Sequence, residues 1–278
     1  MILCCGEALI DMIPSTTVDG DECFVPKAGG ALFNTSIALS RLGTNVGLFT
    51  GISDDLFGEL LQKELRASGV NTRYLSKSNA PSTLAFVEMN DGQADYTFYA
   101  QNTADTSLTV ADIPKGLDDI DAMLFGGISL CTDPTATTLH SMMRGYSDSH
   151  VMMLDPNIRP SFIKDEDAYR RRLKQMVSLC DILKISDEDL NWMAPDQAAV
   201  APQIDALIGK SPKLVFVTKG SDGAVVFRGT EQIAMVRADK VAVADTIGAG
   251  DTFNAGVLNS LANEGALTKA FLADPEPE

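Results

Sequence analysis

The feature that most constrains this chain is a series of short, mostly apolar runs separated by amphipathic segments. Ala122–Ile128, Val151–Leu154, Ile182–Ile185 and Leu214–Thr218 are too short for ordinary helices, while Pro134–Tyr146, Glu166–Met176 and Asp187–Met193 carry apolar residues at helical spacing. Strands that do not alternate apolar with polar residues are buried on both faces. The pattern therefore predicts an α/β fold, a central and mostly parallel sheet with helices on both faces. The same rhythm opens the chain: Met1–Ala8 reads as a strand, Leu32–Leu42 as a helix, Val46–Gly51 as a strand and Leu56–Ser68 as a helix stopped by Gly69. With 278 residues, 45% of them hydrophobic, the chain can bury the core of one large domain spanning 1–278.

Two stretches break the rhythm. Thr83–Met89 and Asp95–Ala100 alternate like half-exposed strands around Asn90-Asp91-Gly92, a hairpin signal, and Glu22–Lys27 is a further short strand. Strands outside any βαβ unit predict a small separate sheet, drawn from about 12–28 and 83–105. It can be a lid that keeps water from a reaction or an ordinary decorating hairpin. The tail Asp274-Pro275-Glu276-Pro277-Glu278 reads as disordered.

Charge and cysteine content exclude several classes. Lys and Arg number 22 against 38 Asp and Glu, a formal net charge of −16, which argues against a nucleic-acid partner. No apolar run is long enough to span a bilayer, and the N-terminus lacks the basic region of a signal peptide, so a cytoplasmic protein without a membrane partner is expected. Cys4, Cys5, Cys23, Cys131 and Cys180 have no CxxC spacing and read as small buried hydrophobes.

The strongest local signal is Asp245-Thr246-Ile247-Gly248-Ala249-Gly250-Asp251-Thr252-Phe253-Asn254-Ala255-Gly256. Small residues at 248–250 let the backbone turn tightly before a helix, and such a turn binds anions through its N–H groups. Asp251 falls in the first helical turn, where a carboxylate either caps the helix or takes the proton of an attacking hydroxyl. A second glycine turn, Ala28-Gly29-Gly30-Ala31-Leu32-Phe33-Asn34, precedes another helix. Glycine lets a polyol approach the backbone and Asn34 offers both donor and acceptor, though it can equally cap the helix.

These two strings together resemble the signatures of the ribokinase-like (PfkB) carbohydrate kinases, in the right order, and the likeness extends over residues 1 to about 263. The resemblance implies that Asp251 is the catalytic base and that the backbone of Gly248, Ala249 and Gly250 stabilises charge on the transferred phosphoryl group. It implies sugar contacts from Gly29, Gly30 and Asn34, and from Asp11 in Gly6-Glu7-Ala8-Leu9-Ile10-Asp11, otherwise a turn residue. Asp155-Pro156-Asn157-Ile158-Arg159 is similar to the family's DxNxR, giving Arg159 a reach to sugar or phosphate, where a surface Arg is the alternative. Lys184-Ile185-Ser186-Asp187-Glu188-Asp189 stands where the family has NxxE. There Lys184 and Ser186 would face the nucleotide and Asp189 would hold magnesium through water, although Ser replaces the Asn and Asp the Glu. Thr218-Lys219-Gly220-Ser221-Asp222-Gly223 matches a loop along the nucleotide phosphates, with Thr218, Gly220 and Gly223 as contacts, and also reads as strand–turn–strand. Asp245 marks the place where the family often adds a monovalent cation.

The implied activity is ATP-dependent phosphorylation of a terminal sugar hydroxyl, with ATP and Mg2+, and K+ as a further cofactor. The implied partners are a small sugar and ATP, with a homodimer formed through the lid. Tyr96-Thr97-Phe98-Tyr99 leading to Thr103-Ala104-Asp105 looks most like fructokinases and makes Tyr99 a substrate contact; 2-keto-3-deoxygluconate kinase and ribokinase are the alternatives. Only Val257–Glu278 follow the last signature, where the family continues with further helices, so a shortened adenine pocket is expected. The rival class is a non-catalytic sugar- or nucleotide-binding protein on the same fold. A P-loop enzyme is excluded because Ile204 stands where the glycine before Gly209-Lys210-Ser211 is required, and a dehydrogenase because no GxGxxG follows a predicted strand.

Overall fold

The computed structural model describes residues 1–90, 93–208, 214–240 and 248–273, with the backbone alone at 88–90 and 93–95. The turn at 91–92, the run at 209–211, the residues 245–247 and the tail 274–278 lie outside them. In chain order the first half contains β1 (Ile2–Cys5), β2 (Leu9–Thr16), β3 (Glu22–Gly29), α1 (Ala31–Arg41), β4 (Val46–Phe49), β5 (Gly51–Ser53), α2 (Leu56–Ala67), β6 (Ser76–Ser78), β7 (Leu84–Asn90) and β8 (Gln93–Tyr99). Then follow β9 (Ala122–Gly126), α3 (Thr135–Tyr146), β10 (Val151–Asp155), α4 (Glu166–Leu179), β11 (Ile182–Ser186), α5 (Asp187–Met193) and α6 (Val200–Ile208). The chain closes with β12 (Leu214–Thr218), β13 (Ala224–Arg228), β14 (Glu231–Val236), α7 (Ala249–Asn263) and α8 (Lys269–Ala273).

Among the described residues the strands form three sheets. The largest has the order β14-β13-β12-β11-β10-β9-β1-β4. It is parallel from β12 to β4 and antiparallel only at β13 and β14. The two-residue alternation of β1 divides its wholly buried side chains between two cores. Leu3 and Cys5 pack with Leu139, Met143, Leu173 and Val177 of α3 and α4. Ile2 and Cys4 pack with Leu32, Phe33, Leu61, Leu65 and Leu258 of α1, α2 and α7. Helices thus cover both faces, as the unbroken apolar runs require.

The second sheet, β3-β2-β7-β8, stands apart from the first and is reached from β1 through Gly6, Glu7 and Ala8 alone. The expected single strand Met1–Ala8 is broken there. A Cβ on Gly6 would lie 2.6 Å from Leu32, and Glu7 turns its carboxylate away to other elements. The expected strand Val46–Gly51 likewise divides at Thr50, because β5 leaves the main sheet to pair with β6. The return from β8 is anchored by a buried polar knot in which Thr83 and Thr103 donate hydroxyls to the Asp105 carboxylate.

A candidate active site at the meeting of two helix N-termini

A cleft of about 820 Å³ opens where the C-terminal ends of β10 and β11 meet the N-termini of α1 and α7 and the inner face of the small sheet. Ligand sites in open α/β sheets collect at this edge of the strands. Asp11, Gly30, Asn34, Arg159, Lys184, Gly248, Gly250 and Asp251 all line it, although they come from segments far apart in sequence.

Asp251 sits in the first turn of α7, behind a left-handed Gly248 with φ 79° that turns the chain into the helix. It is only 8% exposed. The Asn34 amide donates to its Oδ2 at 2.9 Å, and the Thr35 hydroxyl donates to its backbone carbonyl at 3.3 Å, so α1 and α7 are pinned together at their N-termini. The side chain of Asp251 accepts no bond from its own helix, whereas Asp55 and Asp165 bond the first N–H groups of α2 and α4. The capping alternative for Asp251 therefore lacks the hydrogen bond that defines a cap. Burial pushes its carboxyl up to about 6, the Asp155 charge adds to this, and the Asn34 amide, Lys184 and Arg159 oppose it. The first N–H groups of this helix have no intrahelical acceptor, and a helix N-terminus of this kind can receive an anion.

Beneath that turn lies a buried ion pair. Lys184 Nζ donates to Asp155 Oδ2 at 3.0 Å, and the Asn254 amide, one turn after Asp251, donates to the same oxygen at 2.7 Å. The ammonium lies 3.2 Å from where a Cβ on Gly250 would stand, so the cation is held against the helix N-terminus. Asp155 Oδ1 and Asn254 Oδ1 are buried acceptors without a partner among the described residues.

On the opposite wall, Asp11 lies in β2, its carboxyl pushed up to about 6 by burial. It lies over Gly29, where a Cβ would come within 2.1 Å of its Oδ2, so a side chain there would displace the carboxylate. The roof is aromatic. Tyr96 and Phe98 face the cleft from β8, and Phe98 meets Phe162 of the loop after β10 with ring centroids 4.1 Å apart.

Several expected contacts are placed differently. Tyr99 lies outside the cleft: two-residue alternation turns it to the outer face, 62% exposed and packed on Phe86, while Tyr96 and Phe98 take the inner positions. Ser186 caps α5, its hydroxyl accepting from Asp189 N at 3.0 Å, and does not line the cleft. Asp189 points into the protein, accepts from Ile158 N at 3.3 Å, and is pushed up to about 6 by burial and the Asp155 charge. The carboxylate that α5 presents to the cleft is instead the exposed Glu188. Thr218, Gly220 and Gly223 form a closed turn, with Lys219 N donating to Gly223 O at 2.8 Å, also outside the cleft. Asp245 is among the undescribed residues. Among the described residues no group of three or more His, Cys, Asp or Glu is spaced to hold a metal, and no helix is long and apolar enough to cross a membrane. The sequence reading missed Glu7, Phe162, Glu188 and Asn254. Of these only Asn254 carried a signal, its i+3 spacing from Asp251 placing both on one helix face.

Known proteins resemble this chain in sequence and fold along nearly its whole length. The pfkB family carbohydrate kinase pattern matches residues 1–273. The fructokinase of Rhizobium leguminosarum bv. trifolii is 46% identical over 275 residues, which cover 98% of this chain and 83% of that protein. The fructokinase of Escherichia coli is 30% identical over 273 residues, 95% of this chain and 85% of that one. The crystal structure of fructokinase with bound ATP from Xylella fastidiosa superposes with a TM-score of 0.87 at 29% identity, covering 99% of this chain and 86% of that one. Matched along nearly its whole length and built around a helix-borne carboxylate at the sheet edge, the chain belongs to the pfkB family of carbohydrate kinases.

Proposed function

We propose that this carbohydrate kinase transfers the γ-phosphoryl group of ATP to a terminal hydroxyl of fructose, with Asp251 as the base. The observation that carries the reading is the buried, uncapping Asp251 bonded to Asn34 in the cleft that Asp11 also lines. Fructose is favoured over other sugars by the 46% identity to a fructokinase.

Asp11, the Gly30 backbone and Asn34 hold the sugar hydroxyls. Asp251 accepts the proton of the terminal hydroxyl as its oxygen attacks the phosphorus in line. The free N–H groups of the Gly248–Asp251 turn, with Lys184 behind them, stabilise the charge on the transferred group. Magnesium fits this site through Glu188, the carboxylate that α5 turns to the cleft, which would help hold an ion that neutralises the nucleotide phosphates; Asp155 Oδ2 and Asp189 are engaged inside the protein. The small sheet acts as the lid, with Tyr96, Phe98 and Phe162 excluding water from the reacting atoms. Its outer aromatic row of Phe24, Phe86 and Tyr99, in edge contacts of 4.9 and 5.5 Å, supports a homodimer through the lid. Fructose, ribose, 2-keto-3-deoxygluconate and a nucleoside, each supplied with ATP and read by ADP release, test the substrate. Fructose should lead the panel, and a clear preference for another member overturns that assignment.

A further inference from the structure

The first turn of α1 is not capped by its own neighbour, because Gly30 has no side chain to do so. Its Ala31 N–H is taken instead by Glu7, 24 residues away, which accepts at Oε1 at 3.0 Å. The other oxygen of the same carboxylate accepts from Ser129 N at 3.2 Å, across 122 residues of sequence. One side chain, 2% exposed, therefore joins the β1–β2 connection, the turn that carries Gly30 and the loop after β9. The surroundings are shaped to admit it. A Cβ on Gly127 would stand 2.1 Å from Oε1, and one on Gly30, whose φ is 107°, would meet the Glu7 carbonyl at 3.0 Å. Glu7 also lines the cleft beside Asp11 and Asn34.

We propose that Glu7 is a positioning residue for the sugar: its carboxylate, clamped between Ala31 N–H and Ser129 N–H, holds the Gly30 turn and Asn34 in register with Asp251. This rests on the reading above that the sugar lies against Asp11, Gly30 and Asn34. Burial raises the carboxyl to about 7, and the backbone bonds from Ala31 and Ser129 and the Ser129 side chain oppose that rise. The ionised form is the one that accepts from both N–H groups. Protonation puts an O–H where one acceptor was, so the clamp loosens as pH falls through about 7. Cys131, from the loop beyond β9, interacts with the Glu7 charge, and the charged groups that share the cleft lining with it are Asp11, Asp155, Arg159, Lys184, Glu188 and Asp251.

The test is Glu7→Gln, which keeps the shape and turns an N–H group toward one of the two donors. The expected result is a fructose KM raised roughly tenfold, the usual loss for one hydrogen bond to a charged group, with kcat and the ATP KM within twofold of wild type. The inflection near pH 7 in kcat/KM for fructose should disappear. Gly127→Ala, which closes the space from a different element, should give the same split. Thermal melts accompany both variants, and Asn34→Ala serves as the control for the sugar site. A raised KM in Asn34→Ala beside an unmoved KM in Glu7→Gln overturns the role of Glu7. Unmoved KM values in both overturn the placement of the sugar. A fall in melting temperature with kcat and both KM values worsening together reduces Glu7 to a structural residue and also overturns the proposal.

Discussion

The residues proposed for the sugar and those expected at the nucleotide are placed on different principles. Among the residues proposed for the sugar, the Asn34 amide of α1 is bonded to the buried Asp251 of α7 across 217 residues of sequence, and Asp11 of β2 lines the same cleft. Among those expected at the nucleotide, Ser186 is occupied as a cap, Asp189 is turned inward and the Thr218–Gly223 turn closes on itself, and none of them lines the cleft. The difference is one of preorganisation. A group that must take a proton at a fixed distance is held rigidly before substrate arrives. A polyphosphate can be met by backbone N–H groups, one buried lysine and an ion that travels with it.

Four experiments sharpen or break that contrast. The largest effect should come from Asp251→Asn, which keeps shape and polarity but cannot accept the proton. We expect kcat to fall by about 10²–10⁴-fold with the affinities for sugar and ATP much less changed. A variant retaining more than about a tenth of wild-type kcat would refute Asp251 as the base.

The same carboxyl gives the next effect. Since only the ionised form is a base, kcat should fall about tenfold per pH unit below its pKa, which is about 6. Stability should run the other way. The folded-state pKa lies above the unfolded value, so the folded state binds more protons between pH 4 and 6, and stability declines as pH rises through that window. A rise of two units corresponds to roughly 3 kcal/mol, present in full above pH 6. Asp251→Asn should therefore melt at a higher temperature than wild type at pH 8, with the gap closing near pH 4. A melting temperature lower at pH 8 would show that the carboxylate is not under the strain its burial implies.

Asn34→Ala removes the amide that bonds Asp251. The fructose KM should rise by roughly a factor of ten while the ATP KM stays put, consistent with a loss of about 1–3 kcal/mol from one unsatisfied buried group. Equal movement of both constants in steady-state assays would erase the distinction between the two sets of residues.

Ser186→Ala tests the other set and should do least. Losing the α5 cap costs about 0.5–2 kcal/mol of stability, visible as a lower melting temperature, with the ATP KM unchanged. A severalfold rise in that KM would mean that Ser186 reaches the nucleotide after all.

The legibility of this molecule in its sequence follows the range of the interactions involved. Leu214–Thr218 and Asp187–Met193 occur with the bounds expected, and Val151–Asp155 and Ile182–Ser186 differ by one residue, because a buried parallel strand and an amphipathic helix each declare themselves through local periodicity. The convergence of Asn34 and Asp251 was expected from the family resemblance of the two glycine-rich strings, and that of Asp11 from the resemblance of the Gly6–Asp11 segment. Tyr99 was expected at the cleft, and the strand phase that turns it to the outer face is supplied by the register Phe86↔Thr97. Asp189 and Glu188 could not be told apart because neighbouring helical positions point about 100° apart, and the phase of α5 is set by the Ser186 cap. Glu7 was invisible as a functional residue: the two donors that clamp its carboxylate, Ala31 N and Ser129 N, are backbone groups, which leave no trace in residue identity.

The middle strand of the small sheet bears on how such enzymes can be recombined. β2 pairs antiparallel with β3 through Leu9↔Gly29 and parallel with β7 through Asp11↔Ala85, so Asp11 belongs to a strand bordered by two segments that are remote in the gene. A crossover that exchanges only the hairpin β7–β8 between relatives would leave Asp11 beside a foreign neighbour. Chimeras that carry 9–29 and 84–99 together should inherit the donor's sugar preference as a unit, and those that split the pair should lose activity before they acquire a new one.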